Sequence, residues 1–289
     1  MKKILVATEK PFAAVAVNGI KEVADAAGYE LVLLEKYASK AELLAAVADA
    51  DAIIEIGPGA GVLTVELAKR AKKVVSIEID EKLRPVLKET LAEYDNVEVV
   101  FGDVMKIDLN KLIDEKLQGM KIAVCANLPY YITSPIIMML LESNLAIESI
   151  TVMVQKEAAD RLCAEMGTRE CGAVTAAVRF YCTPSLLFNV PRDSFMPPPK
   201  VDSAVIKLDI SGKEKEYDVD SADFFKVIKA AFSMRRKTLV NCLSNGLKMD
   251  KQAVYEILDE CGIDRNIRGE QLSMEQFTAI ANTVKKDVG

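Results

Sequence analysis

Two short stretches carry residue types that could do chemistry. The first is Gly57-Pro58-Gly59-Ala60-Gly61, preceded by the apolar run Ile53-Ile54-Glu55-Ile56 and followed at a distance by Ser76-Ile77-Glu78-Ile79-Asp80. Glycines after an apolar run let the backbone approach a ligand. A carboxylate about 20 residues further on, at the end of the next apolar run, can accept hydrogen bonds from ribose hydroxyls; Glu78 stands there. The second stretch is Asn127-Leu128-Pro129-Tyr130, directly after the apolar run Ile122–Ala126. An exocyclic amine such as adenine N6 is a poor nucleophile, because its lone pair is spread into the ring. A side-chain amide oxygen at Asn127 and a backbone carbonyl at Leu128 can each accept one of its hydrogens and so localise that pair. Pro129 stiffens the turn, and Tyr130 offers a ring on which an unpaired base can stack. Chemistry of this kind rests on placement rather than on a strong base.

Other chemistries are excluded by composition. Histidine is absent, which removes Ser-His-Asp and Cys-His catalysis, histidine general bases and histidine-rich metal sites; no metal site is expected. The six cysteines, at 125, 163, 171, 182, 242 and 261, include no CxxC pair and lie in mostly apolar surroundings. Buried free thiols, a reducing environment and a cytoplasmic location are the expectation. No apolar run approaches the roughly 20 residues of a membrane span. A net charge of −6 argues against a general polyanion binder but leaves room for a local basic face.

The elements that must position these residues alternate. Runs at 4–7, 29–34, 53–56, 74–79, 97–101, 122–126, 150–154, 175–181 and 204–208 read as strands. Helical spacing appears at 13–27, 40–48, 62–71, 81–94, 136–142 and from Gln155-Lys156-Glu157 to about 166. Such alternation predicts an α/β fold whose ligand site lies at the carboxyl ends of the strands. Asp103, in Gly102-Asp103-Val104, falls at one such end and could accept from an adenine amino group. A charged linker near 211–220 marks a boundary, after which the chain reads as helices, with Met234-Arg235-Arg236-Lys237-Thr238-Leu239 as a basic cluster. The expected domains are 1–50, an α/β segment without a chemical motif; 51–210, carrying the motifs; and 211–289, helical.

From about residue 52 onward the sequence resembles the ribosomal RNA small-subunit adenine dimethyltransferases of the KsgA type. The matching stretches are Glu55–Gly61, Ile77–Asp80, Gly102–Val104, Asn127–Pro135, Gln155–Glu157, Phe195–Ser203 and Arg235–Leu239. The resemblance implies a Rossmann-like class I methyltransferase domain with a small C-terminal all-α domain. It implies S-adenosyl-L-methionine as donor and N6,N6-dimethylation of two adjacent adenines near the 3′ end of small-subunit rRNA. It implies a monomer acting on an assembling 30S-type particle. By the same resemblance Gly57, Gly59 and Gly61 approach the amino-acid part of the donor, Glu78 holds its ribose and Asp103 its adenine. Glu55, Ile79, Val104 and Asn127 also count with the donor site. Asn127, Leu128, Pro129 and Tyr130 match the catalytic motif, Phe195 an aromatic that closes the base pocket, and Arg235, Arg236 and Lys237 the RNA-docking domain.

The N-terminus departs from that pattern. Family members open on a basic segment with a Gln-Asn-Phe-Leu-like motif, which is missing here. Residues 1–52 instead resemble the opening of a 3-phosphoglycerate dehydrogenase, through Val6–Phe12 and Leu33–Tyr37, so the chain reads as a chimera. The dehydrogenase's own catalytic residues and cofactor fingerprint lie outside the borrowed stretch. A nicotinamide-dependent dehydrogenase is therefore disfavoured, also by the lack of any histidine. Two further readings stand: a ribosome-assembly RNA-binding module whose catalysis is impaired by the replaced N-terminus, and an antibiotic-resistance methyltransferase acting on large-subunit RNA. The Arg235–Leu239 run and the long helical tail favour the small-subunit type by resemblance.

Overall fold

Branched apolar residues dominate the interior strands, as expected where both faces of a sheet are covered. A computed structural model describes residues 47–195, 199–211 and 217–288, with the backbone alone for 2–7, 29–34 and 286–288. The expected helices at 13–27 and 40–48 lie outside the described residues, apart from a turn at 47–49. Strands β1 (Lys2–Ala7) and β2 (Tyr29–Leu34) pair in parallel as a two-stranded sheet of their own.

The main sheet has seven strands: β3 (Ala52–Ile56), β4 (Lys73–Glu78), β5 (Val97–Phe101), β6 (Ile122–Asn127), β7 (Ser149–Gln155), β8 (Thr183–Val190) and β9 (Ser203–Asp209). Their order is β5-β4-β3-β6-β7-β9-β8, parallel through β7, with β9 antiparallel to β7. Strand order reverses at β3, with β4 on one side and β6 on the other, which opens a crevice at their carboxyl ends. All five residues of β3 are buried, and β6 is buried up to its last residue, Asn127. Helices α1 (Val62–Ala68), α2 (Arg84–Thr90), α3 (Leu109–Lys116) and α4 (Thr133–Glu142) are the crossovers between these parallel strands. The helix expected over 62–71 ends three residues early, at Ala68.

The chain divides into two compact units, Met1–Ala159 with Ser185–Ser211, and Asp160–Pro184 with Gly212–Gly289. Residues 160–184 thus join the helical unit rather than the sheet unit expected from the sequence. The cause is the stretch expected as a strand at 175–181, which forms helix α6 (Ala173–Tyr181). Thr175 secures its first turn instead of stiffening a strand: its Oγ1 accepts from the N-cap Gly172 N–H (3.0 Å) and donates to the Arg161 carbonyl (2.7 Å). Ala176, Ala177 and Phe180 fall at helical spacing, and Phe180 stacks on Phe224 at 4.5 Å between ring centroids. Helix α5 (Lys156–Leu162) follows directly on β7.

Helices α7 (Ser221–Ala231), α8 (Leu239–Leu247), α9 (Lys251–Glu260) and α10 (Met274–Val288) complete the helical unit around Phe224 and Phe277, both fully buried. Asp220 and Asp250 cap α7 and α9 with side-chain oxygens on first-turn amides. Gly246 lets α8 cross α7 closely, since a Cβ there would lie 2.5 Å from the Ala230 Cβ and 2.7 Å from its Cα. Gly246→Ala is therefore expected to lower stability by about 1–3 kcal/mol, outweighing the roughly 1 kcal/mol gain in helix propensity. Thermal denaturation followed by helical circular dichroism checks this, and an unchanged or raised midpoint would contradict the close crossing.

Candidate active site

The glycine turn leaves β3 by way of a hydrogen bond from the Gly57 N–H to the Ile77 carbonyl (2.9 Å) at the end of β4. Gly57, Gly59 and Gly61 have φ of 73°, 60° and 87°, a region that disfavours any side chain. The space requirements differ. At Gly61, where α1 begins, a Cβ would press on Leu87 and Thr90 at 3.2 and 3.3 Å. At Gly57 a Cβ would meet nothing within 4 Å, so backbone at the crevice faces open space.

Glu55 is not part of that open face. It is 1% exposed, and its Oε2 accepts from Thr64 Oγ1 in α1 (2.6 Å) and from Ser76 Oγ in β4 (2.7 Å). The expectation that it touches the donor is thus corrected. An acid in a strand covered on both faces has no route to the crevice, and Glu55 braces the turn from below. Burial pushes its pKa up to about 7; the two hydroxyls pull it down and the neighbouring Glu78 carboxylate adds to the rise. Cys125, paired with Glu55 across the β3–β6 ladder, is fully buried, and burial drives its thiol far above the usual range.

Glu78, the last residue of β4, is 5% exposed. One carboxylate oxygen accepts from the Asp80 N–H (2.8 Å), the other from the Gly59 N–H (3.2 Å). Burial raises its pKa, the Asp80 carboxylate adds to the rise, and the backbone amides of Asp80, Gly59 and Ile79 oppose it. Each oxygen keeps a lone pair for further donors. Beside it Ile79 is 68% exposed, an apolar surface at the strand end. Asp103 follows β5, takes the Met105 N–H at 3.0 Å and faces Lys106 at 3.6 Å. Val104 behind it is buried.

On the other side of β3, Asn127 ends β6 with a half-buried side chain. Leu128 is 2% exposed, so its apolar side chain anchors the turn while its backbone runs along the strand end. Pro129 adopts φ −59° and ψ 132°, and its carbonyl accepts from the Ile132 N–H (3.1 Å) and from Thr133 Oγ1 (3.2 Å). Tyr130 opens a single 3-10 turn, and its phenol oxygen lies 2.6 Å from Ser203 Oγ. The structure buries Phe195 (7% exposed) in the cluster that holds Ile53, Cys125, Met153 and Val205, so its ring is packed in the core in this conformation. Arg235, Arg236 and Lys237 are exposed in the turn between α7 and α8, where Arg235 Nη2 donates to the Arg169 carbonyl (3.2 Å). Among the described residues no cluster of three or more His, Cys, Asp or Glu side chains is placed to hold a metal. Also among them, no helix is long and apolar enough to cross a membrane.

Sequence reasoning missed Thr64, Ser76 and Ser203. A signal existed for Ser76: a hydroxyl in the middle of an interior strand of a parallel sheet must find a buried partner.

A parallel sheet reversing at β3, an antiparallel strand inserted next to its edge, and a glycine turn facing an acid at the next strand end define a Rossmann-like class I methyltransferase fold. The model of the family described as ribosomal RNA adenine dimethylase matches residues 32–286, and the chain belongs to that family. The match begins at residue 32 rather than near 52. Among curated relatives, "Ribosomal RNA small subunit methyltransferase A" of Alkaliphilus oremlandii is 50% identical over 242 residues, covering 83% of this chain and 84% of its own. The protein of that name from Clostridioides difficile is 48% identical, with 82% of each chain covered. Among solved structures, a dimethyladenosine transferase from Plasmodium falciparum superposes with a TM-score of 0.71 at 27% identity, covering 86% of this chain and 95% of that one. The 23S rRNA methyltransferase ErmE does so with a TM-score of 0.64 at 25% identity, covering 86% and 98%.

Because the folded pKa of Glu55 lies above its unfolded value, the folded state holds the extra proton. Its contribution to stability is full below pH 4.5 and is lost as pH rises through about 7. Glu55→Gln keeps an acceptor for both hydroxyls and removes the titration. Relative to this variant, the unmodified protein should lose on the order of 3 kcal/mol between pH 4.5 and 7.5. Denaturant unfolding at both pH values measures the difference; parallel pH profiles would mean that Glu55 titrates normally.

Proposed function

We propose that this chain is an S-adenosyl-L-methionine-dependent rRNA adenine N6,N6-dimethyltransferase acting on two adjacent adenines near the 3′ end of small-subunit rRNA. The observation that carries the reading is the position of Asn127. A half-buried amide at the carboxyl end of β6 sits across the strand reversal from the glycine turn and Glu78, in a chain of this family. When bound, the donor supplies an electrophilic methyl group on a sulfonium.

The residues of the chain fit that donor. The backbone at Gly57 faces open space, Glu78 has lone pairs left for ribose hydroxyls, and exposed Ile79 offers an apolar face for an adenine ring. Asp103 can accept from the adenine amino group while it keeps its turn amide. For the substrate base, the Asn127 side-chain oxygen and the Leu128 carbonyl accept the two N6 hydrogens. They localise the lone pair and hold the nitrogen in line for attack. Pro129 fixes the turn and Tyr130 stacks on the base. The names of the curated relatives specify small-subunit rRNA, which supports the same substrate here. An assembling small subunit as partner, action as a monomer and a cytoplasmic location belong to this reading. So does a division into an N-terminal segment, a methyltransferase domain and a helical domain that docks RNA with Arg235, Arg236 and Lys237.

The N-terminal segment is, in this reading, a replacement for the family's own opening, the part that helps enclose the donor in family members. Donor affinity should be weaker than in a relative with the full family N-terminus. Calorimetric titration with S-adenosyl-L-methionine tests this, and equal affinity would refute it. The central test is methyl incorporation from labelled donor into small subunits that lack the modification. Asn127→Ala should lower kcat on the order of 10²-fold, by analogy with removing one positioned hydrogen bond from a reacting centre. Transfer at the unmodified rate would remove Asn127 from the mechanism.

A further inference from the structure

From the contact between Tyr130 and Ser203 we infer that Ser203 is a positioning residue for methyl transfer, fixing the tyrosine ring on which the target base stacks. The inference rests on the stacking role given to Tyr130 above.

The two residues are 73 positions apart, and their hydroxyl oxygens are 2.6 Å from each other. They belong to strands that are not neighbours. Tyr130 follows β6, Ser203 begins β9, and β7 lies between them in the sheet. Two inter-strand spacings, roughly 10 Å, separate the strands, so the contact bridges the carboxyl end of β7.

Each side of the bridge is anchored independently. Ser203 is 0% exposed and sits opposite Gln155 in the β7–β9 ladder. Its predecessor Asp202 is held twice: its carbonyl accepts from the Lys156 N–H (2.9 Å) and its carboxylate from the Arg192 N–H (2.8 Å). The serine oxygen therefore has a fixed address. The backbone of Tyr130 is set by the Pro129 turn and its two hydrogen bonds into α4 and the turn before it. A tyrosine side chain has two free torsions. Holding the backbone at one end and the phenol oxygen at the other fixes the first torsion and with it the axis of the ring; because the phenol O–H prefers the ring plane, the direction of the hydrogen bond also biases the second. A buried serine hydroxyl needs a partner, and a half-buried tyrosine at a reacting site needs its ring axis held in place. One hydrogen bond meets both needs. It does not bring Ser203 to the substrate; the serine acts through the ring.

The experiment compares Ser203→Ala, Tyr130→Phe, the double variant and Tyr130→Ala. Transfer is measured on unmethylated small subunits; stacking is read from a small-subunit RNA carrying 2-aminopurine at the target position, a binding probe without the N6 amine whose fluorescence is quenched by stacking. Ser203→Ala and Tyr130→Phe should each lower kcat about 5–10-fold with little change in KM, the effect of one hydrogen bond. Both should weaken the 2-aminopurine quenching. The double variant should be no worse than either single one, because both substitutions remove the same bond. Single variants at the unmodified rate would overturn the inference, as would effects that multiply in the double variant. If Tyr130→Ala also left transfer and quenching unchanged, the stacking role itself would fall; if Tyr130→Ala abolished them while the single variants were silent, only the role of Ser203 would.

Discussion

One carboxylate oxygen ties together the frame of the donor crevice. Oε2 of Glu55 accepts from Thr64 and Ser76, and the three residues belong to β3, α1 and β4. All three are at most 1% exposed. The glycine turn runs between the first two of these elements and is closed by a hydrogen bond to the third. Its three left-handed glycines would be loose in isolation, since glycine carries the largest backbone entropy. Buried hydrogen bonds beneath them hold the turn in one shape. The acid that looks like part of the ligand site is the part that makes the site rigid.

Around that frame the division of labour follows the strand reversal. On the β4 side stand Glu78 and Ile79, an acceptor and an apolar surface. On the β6 side stand Asn127 and the Pro129 turn, an acceptor pair and a platform. In the proposed reaction, a donor and a base brought from opposite sides would meet over the end of β3. This matches the requirement of a transfer reaction that depends on alignment rather than on acid–base catalysis, and a chain without histidine can meet it.

Much of this is legible in the sequence, because the parallel strands are continuous apolar runs and the motifs sit at their ends. The residue pattern by itself puts the glycine turn, Glu78 and Asn127 at strand ends. What is not legible depends on burial from both sides or on long-range pairing. Glu55 carries a familiar motif position, yet an interior strand hides it. The stretch Ala173–Tyr181 mixes β-branched and aromatic residues with alanine, and only packing against Phe224 decides for a helix. Ser203 lies in a proline-rich stretch whose partner is set by sheet order, which no local pattern reveals. The motif around Phe195 points to a pocket, but apolar neighbours draw its ring into the core.

The helical unit is made of two pieces of chain, with β8 and β9 synthesised between them. This has a consequence for how the molecule is made. A growing chain that has completed α6 holds an apolar face with Ala176, Ala177 and Phe180. Its partner, Phe224, has not yet left the ribosome, and the helix that closes the core, α10 with Phe277, is made later still. The nascent protein must carry that face unpaired while the sheet is finished, a stage at which association with other chains competes with folding. The arrival of α10 thus ends the period in which an earlier part of the chain is exposed.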